Sequence, residues 1–339
     1  MDNVTHATLG IIAALLTAPA PLRKKAALAG MIAASLPDAD IFIFSTQDPL
    51  FGLQMHRHFT HSLVFIPVLA VLGVVIANGL RRLFRREAIW KGMWLPAFVA
   101  AATHGLCDTW TSYGTHLLWP FSERRESWDL ISVIDPLFTL PVLVCAIMAW
   151  WKGRLKPAVL GVAWAVFYLG LCAVQAQRAR DAVRDWAREH GHGPRRLTVK
   201  PSFANIIVWR GLYVHDGMCQ VVCVRAGITG GTTILDTASA PLLDPDHPSG
   251  PLAGLPQDSL QMRDARRFQH FSDGWMGAHP ERPNVIGDFR YATRPDKISP
   301  LWGIEIDPAN PDKHVKLAFF RDVTDRGFGD LWRMISGGK

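Results

Sequence analysis

The sequence predicts an α-helical polytopic membrane domain of about six segments followed by a small, mainly β soluble domain. Three observations carry that prediction. Of 339 residues, 49% are hydrophobic and only 19% charged, below the roughly 25% charge of an ordinary soluble domain. Long apolar runs fill the first half, whereas charges, Pro and Gly crowd the region after about Arg178. After Arg196 the texture changes again, to short β-like runs separated by turn residues. The expected division is a helical membrane domain over 1–176, a linker helix of alternating basic and acidic residues over 177–196 and a β-rich domain over 197–339.

Six apolar segments can be drawn in order. The first, 6–18, is shorter than the roughly 20 residues of a straight span, so it is tilted, partly inserted or extended by its flanks. The other five cover 25–44, 62–80, 92–108, 135–151 and 157–175. Trp90, Trp94, Trp119, Trp150 and Trp151 lie near segment ends, as interfacial anchors do. Lys and Arg favour alternate loops: Arg23, Lys24 and Lys25, then Arg81, Arg82, Arg85, Arg86 and Lys91, then Lys152, Arg154 and Lys156. Those loops are expected in the cytoplasm, which puts the other loops and the C-terminal domain on the periplasmic side. Arg178, Arg180, Arg184 and Arg188 run against that orientation, although Asp181, Asp185 and Glu189 alternate with them as on a surface helix.

In the last region the strand-like runs are "NIIVWRGLYV", "CQVVCVRAGI", "TTIL", "WGIEI" and "VKLAFF". The net charge of +7 is accounted for by membrane orientation, so nucleic acid is not an expected partner. Cys107, Cys145 and Cys172 lie in apolar runs and read as packing residues. Cys219 and Cys223 stand too far apart along one strand to bond easily. The N-terminus lacks the basic region and cleavage site of a signal peptide and is expected to stay uncleaved.

Nearly every His and Asp of the membrane region falls at the same end of its segment: His6, Asp38, Asp40, His56, His58, His61, His104, Asp108, Asp129 and Asp135. Ionisable groups against a bilayer are costly and mark functional sites. Singly, each has a plain structural reading: Asp2 and Asn3 as a helix start, "PDAD" as a helix end, His61 as an interfacial residue. His104 and Asp108 are harder to dismiss, because four residues apart they share one face of an apolar helix. Mixed imidazole and carboxylate ligands suit zinc, manganese or iron better than calcium or magnesium. The number of candidates fits one or two ions per chain, with remaining carboxylates orienting the histidines. Such a centre makes water nucleophilic near neutral pH, and ester or phosphoester hydrolysis is the natural use. Arg57 is a candidate for neutralising a substrate anion, its planar fork being suited to phosphate.

These residues lie in "THATLG" from Thr5, "ASLPDAD" from Ala34, "HRHFTHS" from His56, "THGLCDTWTSYGTHLLWPF" from Thr103 and "SWDLISVIDPLFTL" from Ser127. In this order they resemble the YdjM-like family of inner-membrane metal-dependent hydrolases, over most of residues 1–175. The resemblance implies a bacterial inner-membrane location and a divalent ion, zinc first. It also implies a metal centre of His6, Asp38, His56, His61, His104 and Asp108, with Asp40, Asp129 and Asp135 as further acidic participants. Asp40, Arg57 and Asp135 are assigned to the chemistry. His58 stands where the family commonly has a small residue and reads as a bystander. "GDFRYAT" from Gly287 and the nearby "WGIEI" look like the family's longer members, and Asp288, Arg290 and Tyr291 either face the membrane site or form a strand-to-turn motif. The expected partners are the bilayer and a small-molecule or lipid substrate. An ion transporter or channel, and a structural protein whose polar cluster locks helices together, are the alternatives.

Overall fold

The computed structural model describes residues 1–320 and 325–337. Its chain divides into two compact units, Met1–Ile43 with Met55–Ala173, and Phe44–Gln54 with Val174–Lys339. The helices in order are α1 (Asn3–Thr17), α2 (Arg23–Ser35), α3 (Pro49–Met55), α4 (Ile66–Leu83), α5 (Trp94–Thr109), α6 (Pro136–Lys152), α7 (Leu155–Glu189), α8 (Leu260–Phe271) and α9 (Asp325–Ser336). The chain thus has a helical N-terminal region followed by two antiparallel β-sheets.

The first unit is built from close backbone contacts. Asp2 starts α1 by accepting from the Thr5 N–H at 3.0 Å and the Thr5 hydroxyl at 2.6 Å. Helices α1 and α2 meet at Gly10 and Gly30, where a Cβ on Gly10 would fall 2.5 Å from the Ala34 Cβ and one on Gly30 would fall 2.4 Å from the Ala14 Cβ. Such small-residue contacts let helices pack where lipid removes any hydrophobic drive to associate. Buried Ala26, Ala29, Ala33, Ala70, Ala97 and Ala100 continue the seam into α4 and α5. After Ser35, Pro37 ends the regular hydrogen bonding, and the chain tightens into a 3₁₀ turn over Leu36–Phe42 that carries Asp38 and Asp40.

Six membrane-spanning segments do not follow from these elements. Among the described residues, two helical stretches are long and apolar enough to cross a bilayer, Leu63–Leu83 and Leu155–Glu189; Asn3–Thr17 and Pro136–Lys152 are apolar but shorter. The 15 residues of α1 extend about 22 Å at the helical rise, against a hydrocarbon core of about 30 Å. The apolar run 25–44 is interrupted by Pro37, leaving α2 with 13 residues. Side chains such as Val71, Val75, Leu140, Val144, Leu160 and Val166 are exposed on α4, α6 and α7, an apolar surface too extensive for water.

The second unit holds two four-stranded antiparallel sheets with strands in sequential order. The first contains β1 (Arg196–Pro201), β2 (Val208–His215), β3 (Met218–Ala226) and β4 (Thr232–Pro241); the second contains β5 (Met276–His279), β6 (Arg282–Asp288), β7 (Trp302–Glu305) and β8 (Lys316–Phe319). Asp216 and Gly217, both at positive φ, form the two-residue turn of the β2–β3 hairpin. The core gathers Leu50, Leu243, Leu252, Met262, Phe268, Ile286 and Ile304, with α8 contributing its apolar face. The region 177–196 is mostly not a separate linker helix, since α7 runs unbroken through Glu189 and its second half packs Val183 onto Gly211 of β2. Arg184 and Arg188 pair with Asp181 and Asp185 on its outer side. Strands β1, β5 and β6 and helix α8 are additions to the strands read from the sequence.

Candidate metal centre

Three imidazoles and two carboxylates converge at one end of the helices of the first unit. His6 comes from the first turns of α1, Asp38 from the 3₁₀ turn after α2, His61 from the turn before α4, and His104 and Asp108 from α5. The Nε2 atoms of His61 and His104 each lie 3.3 Å from one Asp108 oxygen, Oδ2, and His6 Nε2 lies 3.3 Å from the other. Asp38 Oδ1 closes the group, 3.6 Å from His61 Nε2 and 3.5 Å from His104 Nε2. One ligand atom each from His6, Asp38, His104 and Asp108 fall within 4.8 Å of one another. The side chains of His6, His61, His104 and Asp108 are fully buried, and Asp38 is 11% exposed.

Neighbours orient these rings toward the common centre. His104 Nδ1 donates to the Ala34 carbonyl oxygen at 2.6 Å, which leaves the Nε2 lone pair directed at the carboxylates. His61 Nδ1 faces the Thr60 hydroxyl at 3.0 Å and Asp40 Oδ2 at 3.4 Å, the carboxylate–imidazole arrangement common behind metal-bound histidines. His6 and His104 stack at 3.7 Å. Gly105 permits the approach of α5 to the His61 turn: a Cβ there would lie 2.4 Å from the His61 carbonyl oxygen.

The donor set fits a divalent ion. Both ring nitrogens of His6, Nε2 of His61 and His104, and one oxygen each of Asp38 and Asp108 are buried without a hydrogen-bond partner. Leaving such atoms unsatisfied costs roughly 1–3 kcal/mol each, and an ion at their centre would satisfy several at once. Cationic groups already balance part of the charge: Arg57 Nη1 lies 3.2 Å from Asp108 Oδ1, which the Met1 amino group also contacts. Asp48, Asp264 and His314 in the second unit also stand within reach of one ion. There Arg267 already bridges Asp48 and Asp264 at 2.7 and 2.9 Å, which offsets one of the two carboxylate charges.

Other expected site residues lie around the centre or apart from it. Asp40 is buried and accepts from the Arg57 N–H at 2.7 Å and from His56 Nδ1 at 2.9 Å, so it faces the back of the histidines. His56 sits beyond Asp40, its ring 6.5 Å from that of His61, and is one-third exposed. Arg57 is held at φ 59°, a conformation costing roughly 1–2 kcal/mol for a non-glycine residue. Its N–H bond to Asp40, and the His116 N–H and Thr115 hydroxyl bonding its carbonyl oxygen at 3.1 Å, fix it there. Asp135 is not part of the cluster: it caps α6 through the Leu137 and Phe138 N–H groups and accepts the Tyr168 hydroxyl at 2.9 Å. Asp129, at φ 54°, marks a turn. His58 packs on His116 and Trp119. Asp288 and Arg290 pair with each other at 2.7 Å at the end of β6. Gly105, Tyr113 and Tyr168 escaped the sequence reading, although the His-Gly pair at 104–105 and the Asp-Pro start of α6 were signals for two of these contacts.

Comparison with known proteins places the N-terminal region in a family. No solved structure gives a significant match. The chain is similar to a protein of Escherichia coli (strain K12) described as inner membrane protein YbcI, with 33% identity over 173 residues, 48% of this chain and 95% of that protein. The family described as YdjM inner membrane protein matches residues 1–179, the part that contains every residue of the His/Asp cluster. The chain therefore belongs to the YdjM inner membrane protein family.

Proposed function

We propose that the chain is a membrane-bound, metal-dependent hydrolase of ester or phosphoester bonds. The observation that carries the reading is the buried group of His6, Asp38, His104 and Asp108, each offering a ligand atom within 4.8 Å of the others, with His61 Nε2 3.3 Å from Asp108 beside them. These residues would hold the ion, zinc first and manganese or iron otherwise. When bound, a divalent ion supplies Lewis acidity and makes water nucleophilic near neutral pH. Asp40 keeps His56 and His61 oriented, and Ala34 does the same for His104. Arg57 adds positive charge beside Asp108. The helices packed around the cluster enclose most of it, and Asp38 and His56 form its more open side.

The proposal places a multi-pass helical domain, 1–176, in the bacterial inner membrane, with the shorter helices tilted or embedded beside α4 and α7. The Lys/Arg distribution supports a periplasmic position for the metal site and for the β-rich domain. Purified protein is expected to contain a stoichiometric transition-metal ion by mass spectrometry, and His104→Ala to lose most of it. Equal metal content in that variant would remove the basis of the proposal.

A further inference from the structure

Beside the cluster, two guanidinium groups flank a single aromatic ring. The Arg125 Cζ lies 4.8 Å and the Arg57 Cζ 5.2 Å from the centroid of Tyr113. Arg57 is buried and joins this group to the cluster, with Nη1 3.2 Å from Asp108 and 3.1 Å from the Thr111 hydroxyl. Its Nε is buried without a partner. Arg125 ties the group to the more open side, donating from Nη2 to the His56 carbonyl oxygen at 3.3 Å. The His56 and Tyr113 rings are 5.4 Å apart. Tyr113, Arg125 and His56 are half-buried and Asp38 of the ion-holding set is partly exposed, so this side can be reached by a ligand.

From this arrangement we infer that Arg57, Arg125 and Tyr113 form a phosphate clamp, and that the substrate of the proposed hydrolase is a phosphate ester rather than a neutral carboxylic ester. The inference rests on the hydrolase reading for the word substrate, but not for the binding itself. The ring face attracts each guanidinium in turn and keeps its plane fixed. Forked N–H pairs match the tetrahedral oxygens of phosphate, which a lysine cannot copy. The left-handed backbone at Arg57, locked by Asp40, Thr115 and His116, directs one fork to the cluster and fits a residue retained for its position. Ile41, Phe42, Leu118 and Phe121 are exposed on the segments that carry Asp40 and Tyr113. A lipid headgroup and a soluble phosphate ester therefore share the required chemistry.

The test is titration calorimetry of inorganic phosphate into the full-length protein in phosphatidylcholine nanodiscs, with zinc content measured on the same samples. Wild type is expected to bind saturably. Arg125→Gln should bind about tenfold more weakly or worse, as loss of a charged fork requires, and Arg125→Lys should fall between them. Zinc content should match wild type in both variants. Competition by vesicles containing phosphatidic acid, absent with phosphatidylcholine alone, identifies a lipid headgroup; lack of competition identifies a soluble ester. Wild type that ignores phosphate, or Arg125→Gln that binds as wild type does, overturns the clamp. Phosphate binding that persists in a protein unable to cleave any ester removes the hydrolase reading and leaves the clamp standing.

Discussion

His104 uses its two nitrogens differently, one to hold the Ala34 carbonyl and the other to face Asp108 and Asp38. That division was half legible in the sequence. The spacing of His104 and Asp108 puts them on one helical face whatever surrounds them, but the carbonyl that sets the ring orientation comes from a helix distant in sequence. The run "HRHFTH" offers three imidazoles, and only the turn geometry separates His61, which points inward, from His56 and His58, which do not join it. Asp135 shows the opposite failure: an acidic residue before Pro at a helix start is a capping signal, and the cap is what it forms. Asp40 lies behind the cluster rather than in it, so its effect is indirect. Asp40→Asn is expected to weaken zinc affinity by about ten- to a hundredfold while the helices stay intact, as read by chelator competition and circular dichroism. An unchanged affinity would show that His56 and His61 need no such support.

At the scale of elements, the apolar runs were visible because hydrophobicity is additive along a chain, and their ends were not, because termination depends on local backbone chemistry. The run 25–44 reads as one segment by composition, yet Pro37 splits it and the resulting 3₁₀ turn is what presents Asp38. The change from apolar to charged residues near Arg178 suggested a boundary, but the Ala-rich, charge-paired stretch that follows continues α7 without a break. Strands β2 and β3 announced themselves by β-branched residues around an Asp-Gly turn. Strands β5 and β6, in "MGAHPERPNVIGD", are laced with Gly and Pro and carry little local signal. The α1–α2 seam permits a direct check, since any Cβ at Gly30 meets the Ala14 methyl. Gly30→Val should destabilise the first unit by about 1–3 kcal/mol, lowering its Tm and its metal content together. A variant as stable as wild type would mean that the helices do not touch there.

For the whole molecule, the two units depend on different chemistry. The first relies on small-residue packing and a polar cluster enclosed by apolar helices, whereas the second relies on sheets and on ion pairs such as Asp48 with Arg267. Burial alone would raise the Asp48 carboxyl, but the Arg267 guanidinium and the Leu50 N–H outweigh it and hold the group below the usual carboxylate range. A depressed carboxyl contributes stability that is complete above its ordinary value, near 3.9, and is lost as pH falls through the lower, folded value. Acid unfolding of the second unit should therefore steepen below about pH 4 in wild type. The Asp48→Asn variant should show a shallower acid dependence together with lower stability at neutral pH, both followed by tryptophan fluorescence. Identical acid profiles would show that the pair does nothing for the fold.

The complete enclosure of His6, His61, His104 and Asp108 bears on time as well as on affinity. An ion held mainly by enclosed side chains and open only on the Asp38 side leaves slowly, so its residence depends on motion at that opening as well as on ligand strength. Exchange would then be slow even against a metal that binds better. An ion bound there would record what the cell offered when the helices closed, a memory of synthesis more than an equilibrium with its surroundings.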